Sequence, residues 1–163
     1  MAESAAFDPI GMLQALDRHR VNYVVIGALA RVVQGAEEVT GGLDIVPSMR
    51  PENLSRLEDA LRDLNATTLD GKQPVLSEGG AVVELATERG ELKVVAEPAG
   101  TSGYDDLRRA ASREHLGSGV RAAVASIGDL ARMVAATGHE ADLPKLQALR
   151  RLAELDQSRG LSR

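Results

Sequence analysis

The sequence predicts an α/β (α+β) fold, a small mixed β-sheet flanked by helices with a helical C-terminal segment. Three observations carry this. Short β-branched runs at 21–26 and 43–46 are separated by Leu29, Val32 and Val33 at helical spacing. Two glycine-broken stretches, 81–96 and 114–124, read as hairpins. Beyond Ser126 the apolar residues recur at helical intervals as far as Leu155. With 163 residues the chain is long enough to bury a core as one domain, 1–163, with an N-terminal helix over 1–20 and C-terminal helices over 126–157.

Asp8-Pro9 opens the first helix, an acceptor at the N-cap followed by proline at the first helical position. Ile10, Leu13 and Leu16 give its apolar face, which ends near His19-Arg20. Residues 21–26 form a buried strand closed by Gly27, and the short helix after it ends at Gly35. The second strand, 43–46, is stopped by Pro47. Pro51 starts a helix with the stripe Leu54, Leu57, Leu61 and Leu64. Residues 66–69 read as a third strand, and Gly79-Gly80 as a turn. Strands over 81–87 and 92–96 flank Glu88-Arg89-Gly90-Glu91. After a loop and a short helix at Leu107, the second hairpin turns at Gly117-Ser118-Gly119. Ser126 with Asp129 marks a helix start, and Gly138 its end. A final helix begins at Leu143-Pro144 with Leu146, Leu149, Leu152 and Leu155 as core, fraying from Ser158.

Composition narrows the function classes. The formal net charge is −5 and aromatics are 2% (Phe7, Tyr23 and Tyr104). Non-specific nucleic-acid binding, which rests on cationic side chains and stacking platforms, is not expected, although a local basic face is compatible with the arginine content. With no cysteine there is neither disulfide nor thiolate metal site. His19 and His115 lack ligand-spaced partners, and His139 past a helix end reads as a carbonyl cap or a water-facing side chain rather than a ligand. No apolar run is long enough to span a bilayer and Met1-Ala2-Glu3-Ser4 begins no signal peptide, so the expected location is cytoplasmic and not membrane-bound. The alanine- and arginine-rich composition points to a bacterial source.

The chemistry-bearing stretch is Tyr23-Val24-Val25-Ile26-Gly27-Ala28-Leu29-Ala30 followed by Thr40-Gly41-Gly42-Leu43-Asp44-Ile45-Val46-Pro47. Side chains two apart on a strand point the same way, so positions 42 and 44 share a face. Later come Gly90-Glu91-Leu92-Lys93-Val94-Val95, Pro98-Ala99-Gly100 and Gly103-Tyr104-Asp105-Asp106-Leu107, then Ser126, Asp129-Leu130, Gly138 and Asp142-Leu143. In this order and spacing the chain resembles the small bacterial nucleotidyltransferases, the toxin-type and antibiotic-modifying minimal forms.

The resemblance implies a strand ending in a glycine pair, here relaxed to Gly27-Ala28. It also implies two aspartates one residue apart on the next strand, and a third carboxylate on a neighbouring strand. Such carboxylates hold two magnesium ions about 4 Å apart, which neutralise a triphosphate and align the incoming hydroxyl. By the same resemblance the first aspartate falls on Gly42, the second on Asp44 and the third on Lys93. A family lysine falls near Val134 and an arginine near His139. Asp44 is the one matching catalytic carboxylate and the one metal-ligand position retained. Gly27, Ala28, Thr40 and Lys93 are the expected nucleotide- or phosphate-binding residues. Lys93 should pair with Asp44 or with Glu91, since an unpaired charge on a half-buried sheet face is costly.

The expected function is a nucleotidyltransferase-fold pseudoenzyme, without a cofactor, that binds a nucleotide, a phosphate-bearing ligand or a protein partner. Two alternatives stay open. One is a working magnesium-dependent nucleotidyltransferase acting on RNA, protein or a small hydroxylated molecule. The other is a structural interaction protein whose pocket has closed.

Overall fold

The computed structural model describes residues 6–78 and 80–161; residues 1–5 and half of the turn expected at Gly79-Gly80 lie outside the described residues. Helix α1 (Pro9–Arg18) starts as its sequence dictates, with the Asp8 carboxylate accepting from the Gly11 N–H at 3.0 Å. At its end the chain turns through Arg20 in the left-handed region (φ +58°), with the Val21 N–H donating to the Leu16 carbonyl at 3.0 Å. Glycine is the usual residue at this kind of helix exit, and a side chain there costs about 1–2 kcal/mol. Strand β1 (Tyr23–Ile26) follows, buried on both faces. It runs directly into α2 (Gly27–Val33), which buries Ala30 and leaves Leu29, Val32 and Val33 only partly covered.

Strand β2 (Gly42–Pro47) pairs antiparallel with β1 from Ile26↔Asp44 to Tyr23↔Pro47, so Pro47 belongs to the strand rather than stopping it. Helix α3 (Pro51–Asp63) buries Leu57, Ala60 and Leu61. Its Asn53 side chain accepts from the Asn22 N–H (2.8 Å) and donates to the carbonyls of Asn22 (3.0 Å) and Ser48 (2.8 Å), clipping the helix to the outer ends of β1 and β2. Strand β3 is only Thr67–Thr68, because the Gly71 N–H bonds back to the Thr68 carbonyl and curls the chain away.

Strands β4 (Val82–Thr87) and β5 (Gly90–Val95) form a hairpin whose turn is Glu88-Arg89 alone, two residues shorter than expected. Helix α4 (Tyr104–Leu107) leads to the hairpin of β6 (Ser112–Gly117) and β7 (Val120–Val124). Helix α5 (Ile127–Thr137) is capped by the Ser126 hydroxyl, which accepts from the Asp129 N–H at 3.0 Å, and ends at left-handed Gly138. Helix α6 (Leu143–Leu161) keeps its backbone helical past Ser158, where fraying was expected. Of its leucine stripe only Leu149 is fully buried, and Leu155 is exposed. Leu152 instead reaches Gly35 at the end of α2.

Among the described residues the strands make one seven-stranded sheet in the order β3-β4-β5-β2-β1-β7-β6. The pairs β2–β5 and β1–β7 are parallel and the rest antiparallel. The two parallel joints arise because the connections across them carry helices, whereas tight turns join β4 to β5 and β6 to β7. Leu43 and Ile45 on β2, Leu85 on β4 and Leu92 and Val94 on β5 share one face and enter the core with Leu13, Leu16, Leu57 and Leu61. Alternate residues of the same three strands therefore face the other way. No described helix is long and apolar enough to cross a membrane.

Candidate functional site

That other face carries the polar residues. Across β4, β5 and β2 the register sets Glu84 beside Lys93 and Lys93 beside Asp44. One step along, Ala86, Glu91 and Gly42 form a second row. The two rows floor a cavity of about 360 Å³, whose wall includes Ala28, Gly41 and Leu69. The single cation in the lining, Lys93, thus stands with an acid on either side, and three carboxylates, Asp44, Glu84 and Glu91, face the same space.

The structure brings Gly42, Asp44, Lys93 and Ala28 together around one cavity. Gly27 does not line it but lies directly behind Asp44. Its φ is +74°, and a methyl group at its Cα would sit 2.5 Å from Asp44 Oδ2. Glycine is needed there on both counts, for the left-handed backbone and for the close approach of the aspartate. Thr40 lies just before the lining glycines and is not part of the wall.

Lys93 finds a different partner from the one expected. Its Nζ lies 3.8 Å from Glu84 Oε1, an ion pair between partly exposed side chains worth no more than about 1 kcal/mol. The sequence is compatible with two registers. A two-residue turn at Glu88-Arg89 places Glu84 opposite Lys93, whereas the four-residue turn that the glycine at position 90 suggests shifts the pairing by two.

Asp44 is half-buried, and burial raises its carboxyl above the ordinary 3.8. The charges of Lys93 and Arg31 act against that shift and the charge of Glu84 adds to it. Arg31 is itself held by Glu38 through two hydrogen bonds, Nε to Oε2 at 2.6 Å and Nη2 to Oε1 at 3.0 Å. This forked pair fastens the segment before Gly41 to α2, and nothing in the spacing of the sequence marked it. Among the described residues no three Asp, Glu or His side chains are grouped as a metal site. Val134 and His139, where the resemblance places a lysine and an arginine, line a separate smaller cavity between α5 and α6.

No protein-family model matches the chain, and no curated protein matches it in sequence. Solved structures do. The antibiotic-resistance factor ANT(2'')-Ia superposes with a TM-score of 0.58 at 13% identity, over 94% of this chain and 91% of that one. A candidate nucleotidyltransferase from Thermotoga maritima superposes with a TM-score of 0.57 at 16% identity, over 92% of this chain and 96% of that one. Identities this low speak to the backbone alone, and both superpositions run over nearly the whole length. The chain therefore has a nucleotidyltransferase-like fold, a seven-stranded mixed sheet flanked by helices.

Proposed function

We propose that this chain keeps the nucleotidyltransferase fold as a non-catalytic binding protein, in which an internal cation stands where metal ions would otherwise gather. The observation that supports this best is the row Asp44, Lys93, Glu84 across three adjacent strands. A two-magnesium cage needs several carboxylate oxygens converging on one point. Here the first position is Gly42, with no ligand atom, and the central position is an ammonium. Two charges ~4 Å apart interact by about 4 kcal/mol at an effective dielectric near 20, so exchanging a carboxylate for a lysine turns that attraction for a cation into repulsion. The residues do not fit the metal pair.

The cavity remains open at about 360 Å³, which argues for a ligand rather than a closed interaction surface. Its charge also bears on which ligand. Three carboxylates against one lysine make a poor cradle for a bare triphosphate and a better one for a hydroxylated or positively charged group. The working-transferase reading draws support from Glu84 and Glu91, which bring the acids in the lining to three. It would need them to gather around a metal with Lys93 between them.

Calorimetry and a pyrophosphate-release assay on the full chain separate the readings. Magnesium should bind no more tightly than about millimolar at neutral pH, and ATP with magnesium should release no pyrophosphate with RNA, protein or polyol acceptors. Spermidine should raise the melting temperature more than metal-free ATP does. A micromolar magnesium site lost on Asp44→Ala, or pyrophosphate release that depends on Asp44, would overturn the proposal.

A further inference from the structure

At the opposite end of β1 from Gly27 lies a second cavity, of about 370 Å³, which shares no residue with the first. It is lined by Arg20, Arg113 and Arg121, by both tyrosines of the chain, Tyr23 and Tyr104, and by Asp17. Among the described residues none of the three arginines forms an ion pair, although ten other basic side chains do, from Arg18 and His19 through to Lys145. The one acid in the lining, Asp17, accepts the Tyr23 hydroxyl at Oδ1 (3.0 Å) and feels the charge of Arg113 without closing an ion pair with it.

Their delivery comes from three parts of the fold. Arg113 pairs with Ala123 and Arg121 with His115, so both arginines project from one face of the β6–β7 hairpin. Arg20 comes from the exit of α1, where it holds φ +58° in a position that glycine normally fills. A strained non-glycine residue that the fold itself does not require is a pointer to function. Here the strained residue presents a guanidinium to a cavity that already has two. In a chain of net charge −5, three unpaired guanidiniums around one space create a local reversal of sign.

We propose that this cavity binds the dianionic head of a small phosphate monoester, gripped by Arg20, Arg113 and Arg121, with the tyrosine rings flanking the organic part. Three guanidiniums set against one carboxylate leave an excess of two positive charges, which matches a phosphate monoester rather than a carboxylate or sulfate ester. Planar guanidiniums donate in pairs to phosphate oxygens, and tyrosine offers a flat apolar wall with a polar tip. The acidic remainder of the surface repels a long polyanion, which favours a small ligand over a nucleic-acid strand.

The probe is phenyl phosphate, titrated calorimetrically into the full chain carrying Lys93→Ala, so that the strand cavity offers no cation. Tyrosine-ring NMR signals are followed alongside. Saturable binding at about millimolar or tighter is expected, with both tyrosine rings shifting and phenyl sulfate weaker by roughly tenfold. Arg20→Gly restores the residue that the turn prefers, so its melting temperature should stay level or rise while affinity falls by about tenfold or more. Arg121→Ala, on the exposed side of the hairpin, should lose affinity comparably without unfolding. Absence of saturation by about 10 mM overturns the proposal, as does affinity unchanged in both arginine variants. A 5′-phosphorylated oligonucleotide binding far more tightly than phenyl phosphate also overturns it, in favour of a nucleic-acid end.

Discussion

At Gly27 two constraints meet in one atom. The left-handed backbone costs a side chain about 1–2 kcal/mol, and any Cβ would press on the Asp44 carboxylate. Gly27→Ala should therefore destabilise the fold by about 2 kcal/mol or more, measured by urea unfolding. Combined with Asp44→Gly the clash disappears and only the backbone part should persist, so the two changes are coupled. Additive costs would show that the close approach does not matter. Asp44 also gives the fold a signed pH dependence. Its folded-state carboxyl titrates above the ordinary 3.8, because burial penalises the charge. The folded chain thus holds that proton more tightly than the unfolded chain does. The resulting stabilisation is complete below the ordinary value and is lost as pH rises through the raised one. Asp44→Asn stays neutral throughout, so its stability relative to the parent should increase from about pH 3 to pH 7. A gap that is flat or shrinks over that range would contradict the burial argument.

The β2–β5 joint is the element on which the site rests. Because Asp44 and Lys93 are direct neighbours on parallel strands, and Gly42 neighbours Glu91, three acids at 42, 44 and 93 would face one point. A Cβ at position 42 would come within 3.2 Å of the Glu91 carbonyl oxygen and 3.3 Å of its Cβ, a tight fit that asks β2 and β5 to shift apart by a few tenths of an ångström. Gly42→Asp with Lys93→Asp should accordingly fold, lose stability without metal because the carboxylates repel, and recover it with magnesium. The measurement is the melting temperature of parent and double variant with and without millimolar magnesium. A double variant that folds but ignores magnesium would remove the nucleotidyltransferase reading of this strand pair. The hairpin of β4 and β5 carries a lesson of the same kind. Glu84 was invisible as the partner of Lys93 because a shift of two in register, set by the length of one turn, preserves which face each residue occupies while changing every neighbour.

For the molecule as a whole, α6 is joined to the core mainly through Leu149, which is completely buried while Leu143 and Leu155 at either side are half-exposed. Leu149→Ala should cost about 2–5 kcal/mol, read by urea unfolding, whereas Leu155→Ala should fall within about 0.5 kcal/mol. Equal costs would mean that the whole leucine stripe is core, as its spacing alone implies. Helical spacing says that leucines share a face but not how wide a surface waits for them, and α6 meets a narrow one. The sequence by itself determined the alternation of helices and strands, both hairpins, the caps at Asp8 and Ser126, and the common face of Gly42 and Asp44, since each depends on residues close together in the chain. Only the tertiary structure decided the strand order, the neighbours of Lys93, the fork of Arg31 on Glu38 and the meeting of Arg20 with Arg113 and Arg121. The strand order, the neighbours of Lys93 and the arginine cluster depend on which strands pair and in what register, and the fork on how the loop after α2 folds back; local periodicity carries no information about either.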